Sequence, residues 1–162
     1  MIVVKKVGVE AIPLIKNLAN IIWPATYSEL ITPQQVDYMM ELSYSSSSLQ
    51  KQMSTGHQFI MAFDEDKPVA FASYSAKENT PAVYKLHKIY ILPNQQGKGI
   101  GKQLISHIKH DIDPVTSLQL NVNRNNKALQ FYQKIGFKII AEEDIGIGNE
   151  FYMNDYVMQL QW

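Results

Sequence analysis

Residues 88 to 104 read KIYILPNQQGKGIGKQL: a β-branched strand, a turn, a burst of glycines and the start of an amphipathic helix. That order builds an anion site at a strand-to-helix junction. Gly97, Gly99 and Gly101 let the backbone bend and pass close to a ligand without a Cβ clash. The first turn of the helix adds unpaired N–H groups and the positive end of a dipole. A phosphorylated ligand is therefore expected.

Spacing separates the ways in which glycine serves phosphate. A P-loop needs Gly-x-x-x-x-Gly-Lys followed by Ser or Thr, but Gly97-Lys98 and Gly101-Lys102 lead into Gly99 and Gln103. A dinucleotide turn needs Gly-x-Gly-x-x-Gly and an acid ending the next strand, whereas here the glycines alternate and that strand ends in Asn121-Val122-Asn123. The pattern that fits is Gln/Arg-x-x-Gly-x-Gly/Ala, met by Gln96-Gly97-Lys98-Gly99-Ile100-Gly101. It resembles the pyrophosphate loop of the GNAT acyl-CoA N-acyltransferases. Residues 121 to 137, NVNRNNKALQFYQKIGF, resemble the second signature of that family through Asn125, Ala128, Tyr132, Gly136 and Phe137. A helix, a short turn and a strand separate the two motifs, as in the family, and the likeness runs from about residue 57 to the end.

The composition sets limits of its own. A chain of 162 residues with 46% apolar content fills one core and is short for two, so one domain is expected over residues 1–162. Lys+Arg and Asp+Glu are equal at 15 each, which gives no global field toward nucleic acid or a membrane surface. With no cysteine there is no disulfide, thiol nucleophile or thiolate metal site, which suits a cytoplasmic protein. The opening MIVVKKVGVEAIPLIKNLA lacks a signal-peptide pattern, and no apolar stretch is long enough to span a bilayer; a soluble chain is expected.

Hydrophobic periodicity gives an alternating order of elements. Strands are predicted at Ile2 to Val7, Gln58 to Phe63, Val69 to Ser75, Val83 to Leu92, Ser117 to Val122, Phe137 to Glu142 and Phe151 to Gln161. Helices are predicted from Glu10 to Ile22, from Thr32-Pro33 to about Leu42, from the serines at 45–48 to near Gly56, from Gly99 to His110 and from Asn126 to Ile135. Gly136 reads as the stop of the last helix. The resemblance implies an α/β (α+β) GNAT fold, a mixed, mainly antiparallel twisted sheet of about seven strands with about four helices. Its fourth and fifth strands splay around the pantetheine arm of acetyl-CoA, the cosubstrate; no metal is implied.

Acetyl transfer to an amine needs a neutral nucleophile, a polarised thioester carbonyl and a proton for the departing thiolate. By the resemblance, backbone groups of Ile89, Tyr90 and Ile91 bind the pantetheine amides and steady the thioester oxygen. Tyr132 matches the tyrosine that donates a proton to the thiolate; the other reading is an aromatic residue on a buried helical stripe. His87 stands where some polyamine acetyltransferases carry a glutamate that takes the amine proton through water; the other reading is a partly buried histidine bonded to a neighbour. Lys98 and Lys102 flank the glycines as phosphate partners, and Asn123, Asn125 and Lys134 fall where the family contacts the diphosphate or pantetheine, with Asn125 alternatively a helix cap. His107 and His110, at i and i+3 with Asp111 beside them, could suggest a metal site, but without a third ligand at known spacing they read as a solvated helix end.

For the acceptor, segments around Trp23, Tyr27, Tyr38, His87 and Asp155 resemble the PaiA-type branch, which implies a spermidine- or spermine-like polyamine. Trp23, Tyr27 and Tyr38 would hold an aliphatic ammonium chain by cation–π contact, with Glu29, Asp37, Glu41 or Asp155 as counter-charge; equally, the rings are core. Acetylation of a protein N-terminus or lysine, and a non-catalytic acetyl-CoA sensor, are the alternatives. A homodimer is compatible with all of them.

Overall fold

The computed structural model describes residues 1–162. In chain order the elements are β1 (Ile2–Val7), α1 (Ile12–Tyr27), α2 (Pro33–Tyr44), α3 (Ser46–Ser54), β2 (Gln58–Asp64), β3 (Lys67–Lys77), β4 (Thr80–Ile91), α4 (Ile100–Asp111), β5 (Ser117–Asn123), α5 (Ala128–Ile135), β6 (Lys138–Gly148) and β7 (Phe151–Gln161). The strands form one sheet in the order β1-β2-β3-β4-β5-β7-β6. Every neighbouring pair is antiparallel except β4 and β5. This is the GNAT arrangement that the two motifs imply.

Local chemistry explains the elements. The α1 stripe buries Ile12, Ile15, Leu18, Ala19, Ile22 and Trp23. The helix continues past the predicted end at Ile22 and absorbs Pro24, because Trp23 and Tyr27 still face the core. Thr32 caps α2 by accepting from the Gln35 N–H at 3.1 Å. Ser45 caps α3 by accepting from the Ser48 N–H at 3.2 Å; each such cap contributes about 1 kcal/mol. Just before α5 the Asn126 side chain accepts from the Ala128 N–H at 2.9 Å, and the Asn125 side chain does not cap the helix. Two hairpin turns, Glu65-Asp66 between β2 and β3 and Asn149-Glu150 between β6 and β7, hold positive φ at both residues, a region that Asp66 and Asn149 tolerate better than the two glutamates. The second turn lets β6 run to Gly148, beyond the predicted end at Glu142.

The sheet divides the core in two. On one face α4 and α5 cover a cluster that includes Ile60, Ala72, Leu86, Leu120 and Met158. Burial of Ile100, Leu104, Ile105 and Ile108 from α4 contributes on the order of 6–12 kcal/mol before entropy is subtracted. On the other face α1, α2 and α3 enclose a cluster around Phe59, Met61 and Phe71.

Two irregularities in β4 make the site. Tyr74 of β3 pairs with Leu86 and Ser73 with Lys88, so His87 is an extra, bulged residue. The parallel pairing of β4 with β5 involves only Tyr84 with Leu118, Lys85 with Gln119 and Leu86 with Leu120. Beyond Leu86 the strands part. The bulge and the parting coincide, and from residue 87 to 91 the β5 side of β4 carries no ladder.

Candidate active site

The parted strands open a cavity of about 850 Å³ that runs from α1, past β4 and β5, to the glycine loop and α5. Gly97 and Gly99 adopt φ of 83° and 79°, the left-handed region in which a Cβ is strained. None of the backbone N–H groups from Gly97 through Lys102 donates a hydrogen bond within the chain. They are a row of donors at the start of a helix, facing a cavity, which is what a diphosphate requires. Gly101 is glycine for a different reason: a Cβ there would lie 2.5 Å from the Phe131 ring. It lets α5 pack against the start of α4, and this brings Lys127 and Lys134 to the same wall as Lys102. Lys98 instead donates to the Gln95 Oε1 at 3.1 Å. Gln96 reaches back weakly to the Ile91 carbonyl at 3.4 Å.

The other family positions are distributed as follows. Ile89, Tyr90, Ile91, Ile100 and Asn125 line the cavity. Asn123 is buried behind it, its Oδ1 accepting from the Asn125 N–H at 2.9 Å. Tyr132 is buried yet lines the cavity, and its hydroxyl has no partner in the protein. Burial and then Tyr27 push its pKa above that of a free phenol.

His87 lines the cavity too. Its Nε2 is 2.7 Å from the Ser75 hydroxyl, and its ring stacks on His57 with centroids 4.1 Å apart and planes 9° from parallel. Burial, then His57 and two lysines, lower its pKa to about 3. That weighs against the role of proton acceptor. Taking and holding a proton from an alkyl ammonium of pKa near 10 would be uphill by roughly 9 kcal/mol. The next residue, Lys88, has its pKa lowered to about 8 by burial. Its Nζ sits 5.0 Å over the ring of Tyr44.

The four residues expected around an acceptor do not come together. Tyr27 lines the cavity, its hydroxyl 3.0 Å from that of Tyr90. Trp23 stacks behind Tyr27 at 4.3 Å, outside the lining, and donates its indole N–H to the Tyr44 hydroxyl at 3.1 Å. Tyr38 donates to the Ile147 carbonyl at 2.9 Å and packs on Phe151, so it ties α2 to the β6–β7 hairpin instead of facing the cavity. Asp155 is buried on β7 with no partner for its Oδ1, and its pKa is raised by burial. Of the expected counter-charges, Glu29 lines the cavity, whereas Asp37 and Glu41 line a separate groove between α1 and α2. The sequence reading missed Lys88, Lys127, His57 and Ser75, for which no motif stands.

Comparison with known proteins follows the same lines. The acetyltransferase (GNAT) domain profile matches residues 28–158. The peptidyl-lysine N-acetyltransferase YjaB of Salmonella typhimurium is 30% identical over 88 residues, 54% of this chain and 54% of that protein. The chain thus matches about half the length of that relative. An uncharacterized N-acetyltransferase of Mycobacterium tuberculosis, Rv2669, is 24% identical over 139 residues, 84% of this chain and 88% of its own. Among solved structures, the PaiA N-acetyltransferase of Thermoplasma acidophilum in complex with coenzyme A superposes with a TM-score of 0.84 at 21% identity, covering 100% of this chain and 99% of that one. The ribosomal-protein-S18-alanine N-acetyltransferase of Escherichia coli gives 0.74 at 16%, covering 99% and 94%. At such identities the structures speak for the fold. No helix is long and apolar enough to cross a membrane.

Proposed function

Since the chain belongs to the GNAT acetyltransferase family, we propose that it transfers the acetyl group of acetyl-CoA to a primary amine at the point where β4 and β5 part. One observation carries this reading: the cleft between two briefly paired parallel strands ends on a loop whose N–H groups from Gly97 to Lys102 are all free. Acetyl-CoA supplies an activated thioester. The chain's residues do the rest. The loop N–H groups and Lys102, Lys127 and Lys134 neutralise the phosphates. The backbone of residues 88–91, without ladder partners on the β5 side, can hold the pantetheine amides and the thioester oxygen, and such a preorganised donor contributes roughly 3–4 kcal/mol to an oxyanion. Tyr132, whose raised pKa keeps it protonated, donates a hydrogen bond to the departing thiolate. The net proton for the thiol then comes from the amine itself. Because His87 is too weak a base, the amine enters neutral.

For the acceptor, the polyamine reading draws support from the Tyr27 ring and Glu29 on the wall, whereas Asp155 lies outside the lining. Lys88, a cation on the same wall, weighs against a second ammonium. A protein lysine as acceptor is supported by the YjaB relative. Calorimetry with acetyl-CoA, followed by thiol release over a panel of polyamines, amino acids and peptides, tests the reading. Micromolar binding and turnover of a primary amine are expected. Binding without turnover would favour a sensor instead.

A further inference from the structure

The cations on the cavity wall fall into two groups. Lys102, Lys127 and Lys134 cluster at the loop and α5, where a diphosphate would use them. Lys88 stands apart. It lies three residues before the end of β4, about 10 Å along the strand from Ile91. Because His87 is bulged, Lys88 is turned to the α1–α3 face, and its Nζ lies over Tyr44, itself fixed by the indole of Trp23. No carboxylate pairs with Lys88 and no acceptor bonds it. Its neighbours His57 and His87 bring no negative charge, and the Nδ1 of His57 is buried without a partner. Partly buried ammonium groups are ordinarily paired, because desolvating an isolated charge is costly. Here the protein leaves the partner out on the wall of its own cavity, at the level where the strands part and the acetyl group would be delivered.

We propose that Lys88 anchors a carboxylate of the acceptor, so that the acceptor is a small molecule bearing both a primary amine and a carboxylate. The proposal rests on the acetyl-transfer reading above and narrows its substrate class. A diamine or polyamine would instead place a second cation against Lys88. The chemistry resembles recognition of amino acids and ω-amino acids, in which the amine is the nucleophile and the carboxylate sets the register.

The test is a matched series assayed by thiol release from acetyl-CoA: ω-amino carboxylates of increasing length, lysine, and for each chain length the alkylamine and the diamine. In the wild-type protein the best amino carboxylate should exceed its matched alkylamine by about ten- to a hundredfold in kcat/KM, the range of a charge-assisted hydrogen bond. Lys88→Met should bring that ratio to within about twofold of one, and Lys88→Arg should keep most of it. A ratio is insensitive to a general loss of folded protein. As a measurement that needs no variant, the amine-free carboxylate of the best length should compete with the acceptor in the wild-type protein, while the matching alcohol should not. A diamine as the best substrate, or a carboxylate preference that survives in Lys88→Met, would overturn the proposal while leaving acetyl transfer standing. Absence of turnover on every amine would overturn the acetyl-transfer reading and this proposal with it.

Discussion

Acidification should destabilise the fold through His87, and the size of the effect follows from its surroundings. The ring is stacked on His57, bonded to the Ser75 hydroxyl and held near pKa 3, whereas in the unfolded chain it titrates near 6.5. Below pH 6.5 the unfolded chain takes up a proton that the native protein refuses, so stability falls as pH drops through 6.5 and goes on falling to about 3. At about pH 4.5 the full difference would be roughly 2.7 kcal/mol, from 1.36 kcal/mol per pH unit. Because His87 is only partly buried, water will take up some of that cost, and about 1–2 kcal/mol is the expected share. For a chain of this length that is a fall of roughly 2–8 °C in Tm. His87→Gln keeps a hydrogen-bonding side chain beside Ser75 and removes the titration. Urea unfolding of both proteins at about pH 7.5 and about pH 4.5 gives the contribution of His87 and the His57 ring coupled to it as a difference of differences, which cancels the titrating groups that do not touch the pair. If the variant loses as much stability on acidification as the wild type, within about 0.3 kcal/mol, His87 is not held neutral by its surroundings. His87 would then be basic enough to take a proton from the amine.

Tyr132→Phe should leave acetyl-CoA affinity nearly intact by calorimetry while lowering kcat by about ten- to a thousandfold; an unchanged kcat would make the residue structural. Gly101→Ala should cost about 1–3 kcal/mol in urea unfolding, because its Cβ would meet the Phe131 ring at 2.5 Å, and Phe131→Leu in the same chain should recover most of the loss; additive effects would refute that contact. The rate at subsaturating concentration of an amine that carries no carboxylate should climb from pH 7 to pH 9 as the neutral amine becomes available, and a plateau beginning near pH 6.5 would instead point to an imidazole base.

The parts of this account that were legible in the sequence are those in which backbone conformation demands a residue type. Gly97 and Gly99 sit at positive φ, Gly136 ends α5 at φ of 119°, and the Thr32 and Ser45 caps are written in the residues themselves. Gly101 was legible as a loop glycine but not as a packing glycine, because Phe131 lies thirty positions away in the chain. The bulge at His87 left no trace, since it is a change of register between β3 and β4 and not a property of any residue. That is also why Lys88 went unseen. A lysine in a strand reads as solvated until the register turns it over the ring of Tyr44. Trp23 and Tyr38 erred the other way. Their aromatic character fits a cation site as well as it fits packing, and only the partners of their polar atoms, Tyr44 and the Ile147 carbonyl, decide for packing.

The central claim is that the cleft between β4 and β5 delivers the acetyl group of acetyl-CoA to an amine, with the glycine loop holding the diphosphate. Titration calorimetry of acetyl-CoA against the wild-type protein and a folded Gly99→Glu variant, paired with mass analysis of an amine incubated with each, tests it most directly. The account predicts binding and a singly acetylated amine with the wild type, and at least tenfold weaker binding with the variant, whose carboxylate would stand among the free N–H groups from Gly97 to Lys102. Equal affinity in the two proteins, or an amine left unmodified by a wild type that binds acetyl-CoA, would contradict it.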